Sequence, residues 1–153
     1  MTTCQICGRA IKANTGVIAH HGYKRPGHGW QTRSCFGAHY RAYEVACDAL
    51  PHAIESVEAF RLLKQTALDK HLAEPPLVLK YYRRDYNSRD RHIFMGDVDR
   101  PEDFRPGDTN YRPGSYANLY DNIRRNLASD IRGATEQLDY LRKRLADWKA
   151  VAA

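Results

Sequence analysis

An α+β fold in two parts is predicted: a small cysteine-bearing module at the N-terminus, then a mainly helical body with a short β-hairpin and a long C-terminal helix. Three observations predict it. Three of the four cysteines fall within the first 35 residues, in C-x-x-C and C-x-x-x-H patterns. Apolar residues recur at helical spacing over 53–72 and again over 115–149. Between those stretches, two β-rich segments within 77–95 flank a polar turn.

The chain has 153 residues, 42% hydrophobic and 27% charged. That suffices for one domain with a real core or for two small modules. Ten Tyr, seven Pro and ten Gly exclude a collagen-like or wholly disordered chain. No apolar run approaches the roughly 20 residues of a membrane helix, and MTTCQICGR lacks a signal peptide's apolar stretch. A cytoplasmic protein that does not engage membranes is expected.

Taking the chain in order, Cys4-Gln5-Ile6-Cys7-Gly8 is a C-x-x-C-G turn, in which two thiolates can point at one ion and the glycine supplies an unusual backbone conformation. Arg9–Ile11 and Val17–His21 are predicted to pair as a hairpin across Ala13-Asn14-Thr15-Gly16. Residues 22–29 read as a Gly/Pro-rich loop and Trp30-Gln31-Thr32 as a short extended piece. Ser34 is an N-cap candidate for a helix from about Cys35 to Leu50, stopped by Pro51. In such a helix Cys35 and His39, at i and i+4, share one face.

A Cys2His2 finger is excluded. Cys7 and His20 have the right separation, but the positions for a second histidine hold Lys24, Arg25 and Pro26. Cys47 lies twelve residues from Cys35, about 18 Å along a helix, too far to share an ion, and reads as a small core residue. A redox C-x-x-C is the main competitor to a metal site. The surviving set is Cys4, Cys7, Cys35 and His39, a Cys3His structural site for one Zn2+, with His20 or His21 as alternative fourth ligand.

Knuckle, hairpin, then a helix carrying the last ligands: over residues 4–50 this order resembles a treble-clef zinc finger. It is also similar, at Val17-Ile18-Ala19-His20-His21, to the His-Asn-His endonuclease group. That resemblance implies a histidine activating water, with His20 and His21 as the candidates. The chain departs from the group's pattern, since no Asn occurs between Asn14 and Asn87.

The body begins at Pro51, so modules of 1–50 and 51–153 are expected. An amphipathic helix over 53–72 ends at Pro75-Pro76. A hairpin over 77–95 precedes an extended loop over 96–114, and Ser115 caps a helix running to about Lys149. The apolar stripe of that last helix, longer than the 53–72 helix can cover, suggests a homodimer or a protein partner through 115–149.

Charge indicates what the module meets. The net charge is +6, yet residues 1–43 hold six Lys/Arg and no Asp or Glu, while the remaining 110 residues balance 18 basic against 18 acidic side chains. The whole excess sits on the finger, and a concentrated positive field attracts polyanions. Arg9, Lys12, Lys24, Arg25 and Arg33 are phosphate-contact candidates, and Tyr23 and Trp30 candidates for stacking on bases. The leading expectation is non-catalytic, zinc-stabilised binding of DNA or RNA. A zinc-dependent protein scaffold or inhibitor is second, and a divergent nuclease third.

Overall fold

Short paired strands and two long helices make up the described residues, 2–12, 16–24, 31–84, 92–107 and 112–149, in a computed structural model. In chain order the elements are β1 (Thr2–Thr3), β2 (Ala10–Ile11), β3 (Gly22–Lys24), β4 (Gln31–Ser34), α1 (Ala49–Ala73), β5 (Val78–Arg84), β6 (His92–Asp99) and α2 (Tyr116–Ala146). The class is α+β, as the sequence predicts. The strands form three two-stranded antiparallel sheets, β1–β2, β3–β4 and β5–β6.

The chain separates into two compact units, residues 1–61 with 132–153 and residues 62–131. The predicted finger, 1–50, lies wholly within the first. That unit's core joins the cysteines to the helices: Cys4, Ile6, Cys7, Ile18 and Cys35 pack with Ala49, Leu50 and Ala53 of α1 and Leu141 of α2. Cys47 packs against the same core, half-buried, as a small apolar residue would.

Several local expectations are corrected here. Residues 9–11 do not pair with 17–21 as a hairpin; β2 pairs with β1, and Val17 bridges Arg41. The predicted loop over 22–29 begins as strand β3, paired with β4, while residues 25–30 lie outside the described residues. The predicted helix from Cys35 to Leu50 is absent, and 36–48 run as turns and irregular backbone until α1 starts at Ala49.

Competing hydrogen bonds explain that last difference. His39 donates its amide to Ile18 O, Tyr40 O accepts from the Ile18 amide, and the Tyr43 amide reaches Thr3 O. Groups committed to distant strands cannot build an i to i−4 ladder. His39 also takes φ 69°, a left-handed conformation that no interior helix residue adopts.

α1 starts with Pro51 in its first turn, where a missing N–H costs nothing, rather than being stopped by it. Its last turn carries Lys70, a cation favourable at a helix C-terminus. Ser115 caps α2 as expected, its Oγ accepting from the Asn118 amide at 3.4 Å. No helix among the described residues is long and apolar enough to cross a membrane.

In the second unit, Leu79 of β5 packs with Tyr116 and Tyr120 of α2, with Val98 and Phe104 alongside. His71 stacks on Tyr120 at 4.1 Å, and each side chain bonds the other's backbone carbonyl. The hairpin is longer than predicted, because β6 continues through Gly96 to Asp99 and takes the first residues of the expected loop. Its register shifts between Tyr81 and Tyr82, opposite Gly96 and Phe94, so Met95 is the extra residue of a bulge.

Candidate metal centre

Cys4, Cys7, His21 and Cys35 converge with their ligand atoms all within 4.8 Å of one another, every one of them buried. Three expected ligands are present. The fourth is His21, one of the two alternatives expected for that place, rather than the first choice His39, which lies exposed in the turn after Cys35. Only helical spacing points to His39, and with no helix at 35–39 the i, i+4 relation does not bring its ring to the thiols.

Local structure sets each ligand. Gly8 follows the knuckle at φ 69° and donates its amide to Cys4 O at 3.1 Å, closing the turn that carries Cys4 and Cys7. The Cys35 amide bonds His21 O at 2.8 Å, tying the two remaining ligands together where β3 meets β4. Gly37 is required by close approach, since a Cβ there would stand 2.4 Å from Cys4 Sγ.

The distances suit a tetrahedral ion. With metal–sulfur bonds near 2.3 Å, a tetrahedral S···S edge is about 3.8 Å. Cys4 Sγ and Cys35 Sγ lie 3.8 Å apart. The corresponding S···N edge is about 3.6 Å, and Cys7 Sγ and His21 Nε2 are separated by 3.3 Å. His21 Nδ1 lies 2.8 Å from Ala19 O. A carbonyl only accepts, so Nδ1 carries the proton and Nε2 presents its lone pair to the thiols, the tautomer a metal ligand needs.

Electrostatics point the same way. Hydrogen bonds from Cys35 and then Cys4 push the Cys7 thiol far below the usual range. The neighbouring Cys4 and Cys7, with burial, push Cys35 far up. One thiolate is accommodated by its neighbours, and three in this space require a positive ion among them. The four buried atoms therefore form a Cys3His set consistent with one structural metal ion.

Two residues that sequence reasoning missed hold the knuckle. Gln5 is fully buried between the ligands; its Nε2 donates to Arg41 O and Asp48, and its Oε1 accepts from the Ala49 amide at 2.8 Å, capping α1 from outside the helix. Arg144 of α2 donates to Gln5 O at 2.8 Å and Cys4 O at 3.2 Å while its guanidinium lies 4.0 Å over the Tyr43 ring. Nothing in a C-x-x-C pattern marks either, because both act across large sequence separations.

The phosphate-contact candidates divide. Arg9 is half-buried and donates to Gly22 O at 3.0 Å, a structural bond. Lys12 is exposed. Tyr23, Lys24 and Arg33 lie on β3 and β4, with their side chains outside the description, and Arg25 and Trp30 fall outside the described residues. His20 is exposed, its Nε2 2.8 Å from Ser34 Oγ and its ring 6.4 Å from that of His39. His21, buried among thiols, is not placed to activate water at a phosphate. Comparison with known families, curated proteins and solved structures finds no match.

Proposed function

We propose that Cys4, Cys7, His21 and Cys35 hold one structural Zn2+, and that the chain is a cytoplasmic, non-catalytic nucleic-acid-binding protein. All four ligand positions are filled by protein, which closes the site to substrate. The metal stabilises the fold and does no chemistry on a bound molecule.

The observation that carries this reading is charge. Residues 1–43, which supply every ligand, hold six cations and no acid. A dication on three thiolates adds only about one negative charge, so the module keeps a net charge of about +5. The nearest acids in sequence are engaged within the unit: Glu44 accepts the Thr3 amide, and Asp48 accepts from Gln5 and Arg41. Lys12, Lys24, Arg25 and Arg33 supply phosphate contacts in this reading, with Tyr23 and Trp30 stacking.

The test has two readouts. Elemental analysis should give one zinc per chain, lost on Cys4→Ser. Fluorescence anisotropy with labelled DNA and RNA should show affinity falling steeply with salt, and Lys24→Gln with Arg25→Gln should flatten the log–log slope by roughly 1.5–2. Absence of binding near 50 mM salt would overturn the nucleic-acid reading.

A protein scaffold is the second reading, favoured by Leu62 and Leu63 of α1, which leave 53% and 66% of their surface in water. The stripe of α2 offers less to a partner than its sequence suggests, since Ala134, Leu138 and Leu141 are buried within the chain.

A further inference from the structure

A surface helix ordinarily carries one apolar stripe, turned toward the core. The continuous helix α1 carries a second on its outward side. At 3.6 residues per turn, Glu55, Ala59, Leu62, Leu63, Thr66 and Lys70 fall on one face, and all of them are exposed. Leu62 and Leu63 leave 53% and 66% of their surface in water. The cations of these turns point elsewhere, into ion pairs of Arg61 with Glu58 and of Lys64 with Asp130 at 2.9 Å. Charge returns to the outward face at Glu55 and Lys70, and neither has an ion partner among the described residues.

The order of these residues is symmetric. Glu55 and Lys70 lie equally far, about 11 Å along the axis, from the midpoint between Leu62 and Leu63. Ala59 and Thr66 are also equidistant from it. A two-fold axis through that midpoint sets a second α1 antiparallel to the first, and each contact then occurs twice. Leu62 of one copy meets Leu63 of the other, Ala59 meets Thr66, and Glu55 meets Lys70 at both ends. The small side chains on the centre line let the two helices approach closely. A parallel pair would set Glu55 against Glu55 and Lys70 against Lys70, which repel.

We infer that the outward face of α1 is a homodimer interface, on which a second copy of this chain packs antiparallel through Leu62 and Leu63. The inference goes beyond both readings of function, since it needs neither nucleic acid nor a foreign protein. Pairing removes the exposed leucines from water, and the opposite charges at its ends select the orientation more than they add affinity. A foreign partner would have to present the same reversed order of charge, leucine and charge. A second copy supplies it without further requirement.

The test uses the full zinc-loaded chain without nucleic acid. Sedimentation velocity should show a monomer–dimer equilibrium with a dissociation constant of roughly 1–100 μM, since one helix pair is smaller than a standard interface. Leu62→Gln with Leu63→Gln, both on the solvent face and both compatible with a helix, should weaken it about 30-fold or more. Glu55→Lys or Lys70→Glu alone sets like charges together at both ends and should weaken it about fivefold; the two combined should restore affinity to within about twofold. In the unmutated protein, carbodiimide treatment of mixed isotopically light and heavy chains should join the Glu55 peptide of one chain to the Lys70 peptide of the other. Within one chain the two residues stand about 22 Å apart along the helix, beyond a zero-length bond.

A monomer up to about twice the top of that range, or a dimer that the leucine variant leaves intact, overturns the inference. Failure of the combined charge reversal to restore affinity overturns the antiparallel register on which it stands. A monomer whose leucine variant loses binding to a foreign protein assigns the face to that partner and overturns the homodimer. Dimers with Glu55–Lys70 cross-links between chains support it, and they do so whether or not the finger binds nucleic acid.

Discussion

Replacing His21 by alanine is the sharpest probe of the metal centre, because the sequence puts His39 first and His20 or His21 as alternatives, while the structure brings His21 to the thiols. The substitution removes one of four ligands and the Nδ1–H···O bond to Ala19 that orients it. Structural zinc sites bind with about 10–16 kcal/mol at neutral pH, so one ligand in four carries roughly 3–4 kcal/mol. At 1.4 kcal/mol per decade, zinc affinity should fall about 10²–10³-fold. His39→Gly is the control. His39 is exposed and sits at φ 69°, a conformation glycine adopts freely, so stability should stay within about 1 kcal/mol of the parent. Competition against a chromophoric chelator measures both affinities. Substitution with Co2+ reports the ligand set, since its visible spectrum changes when the nitrogen leaves a tetrahedral site of three sulfurs and one nitrogen. Parent-like affinity in His21→Ala, or an equal loss in His39→Gly, would refute the assignment.

Two further perturbations test how the knuckle is held. Arg144→Ala removes two charge-assisted bonds to Gln5 O and Cys4 O and a cation lying over Tyr43. Chemical denaturation should show a loss of about 3 kcal/mol, and Arg144→Lys should recover little of it, because one ammonium cannot reproduce the fork; parent-like stability of the lysine variant would be inconsistent with the forked contact. Glu44 titrates below its ordinary range, because burial, which acts to raise it, is outweighed by the Thr3 amide bonded at 3.0 Å to both carboxylate oxygens. A depressed folded value means that this stabilisation is complete above the ordinary glutamate range near 4.3 and is lost as pH falls through the lower folded value. The stability difference between parent and Glu44→Gln, measured at matched zinc, should be constant from pH 5 to 8 and shrink below about pH 4. A difference that persists unchanged at pH 3 would contradict the proposed role of the charge.

Features governed by neighbours in sequence were the legible ones. The C-x-x-C-G turn, the positive φ of Gly8 and the Ser115 cap each depend on a few consecutive residues, and each was found where local chemistry puts it. Both long helices were announced by their apolar spacing, with ends displaced by a few residues. The region between Cys35 and Leu50 misled for an identifiable reason. Its composition permits a helix, but its amides and carbonyls bond Thr3 and Ile18 instead, and no local pattern records that competition.

By itself, then, the sequence determined the class, the three cysteines of the buried cluster and the location of the excess charge, because ligand chemistry and net charge belong to residues wherever the chain carries them. The tertiary structure decided which histidine completes the site. His21 reaches the thiols from the start of β3, whereas the turn that replaces the expected helix leaves His39 in water. It also decided that Gln5 caps a helix 44 residues away and that Arg144 clasps the knuckle from 139 residues away. These are questions of how buried polar groups find partners, and the answer exists only once the chain has brought distant segments together.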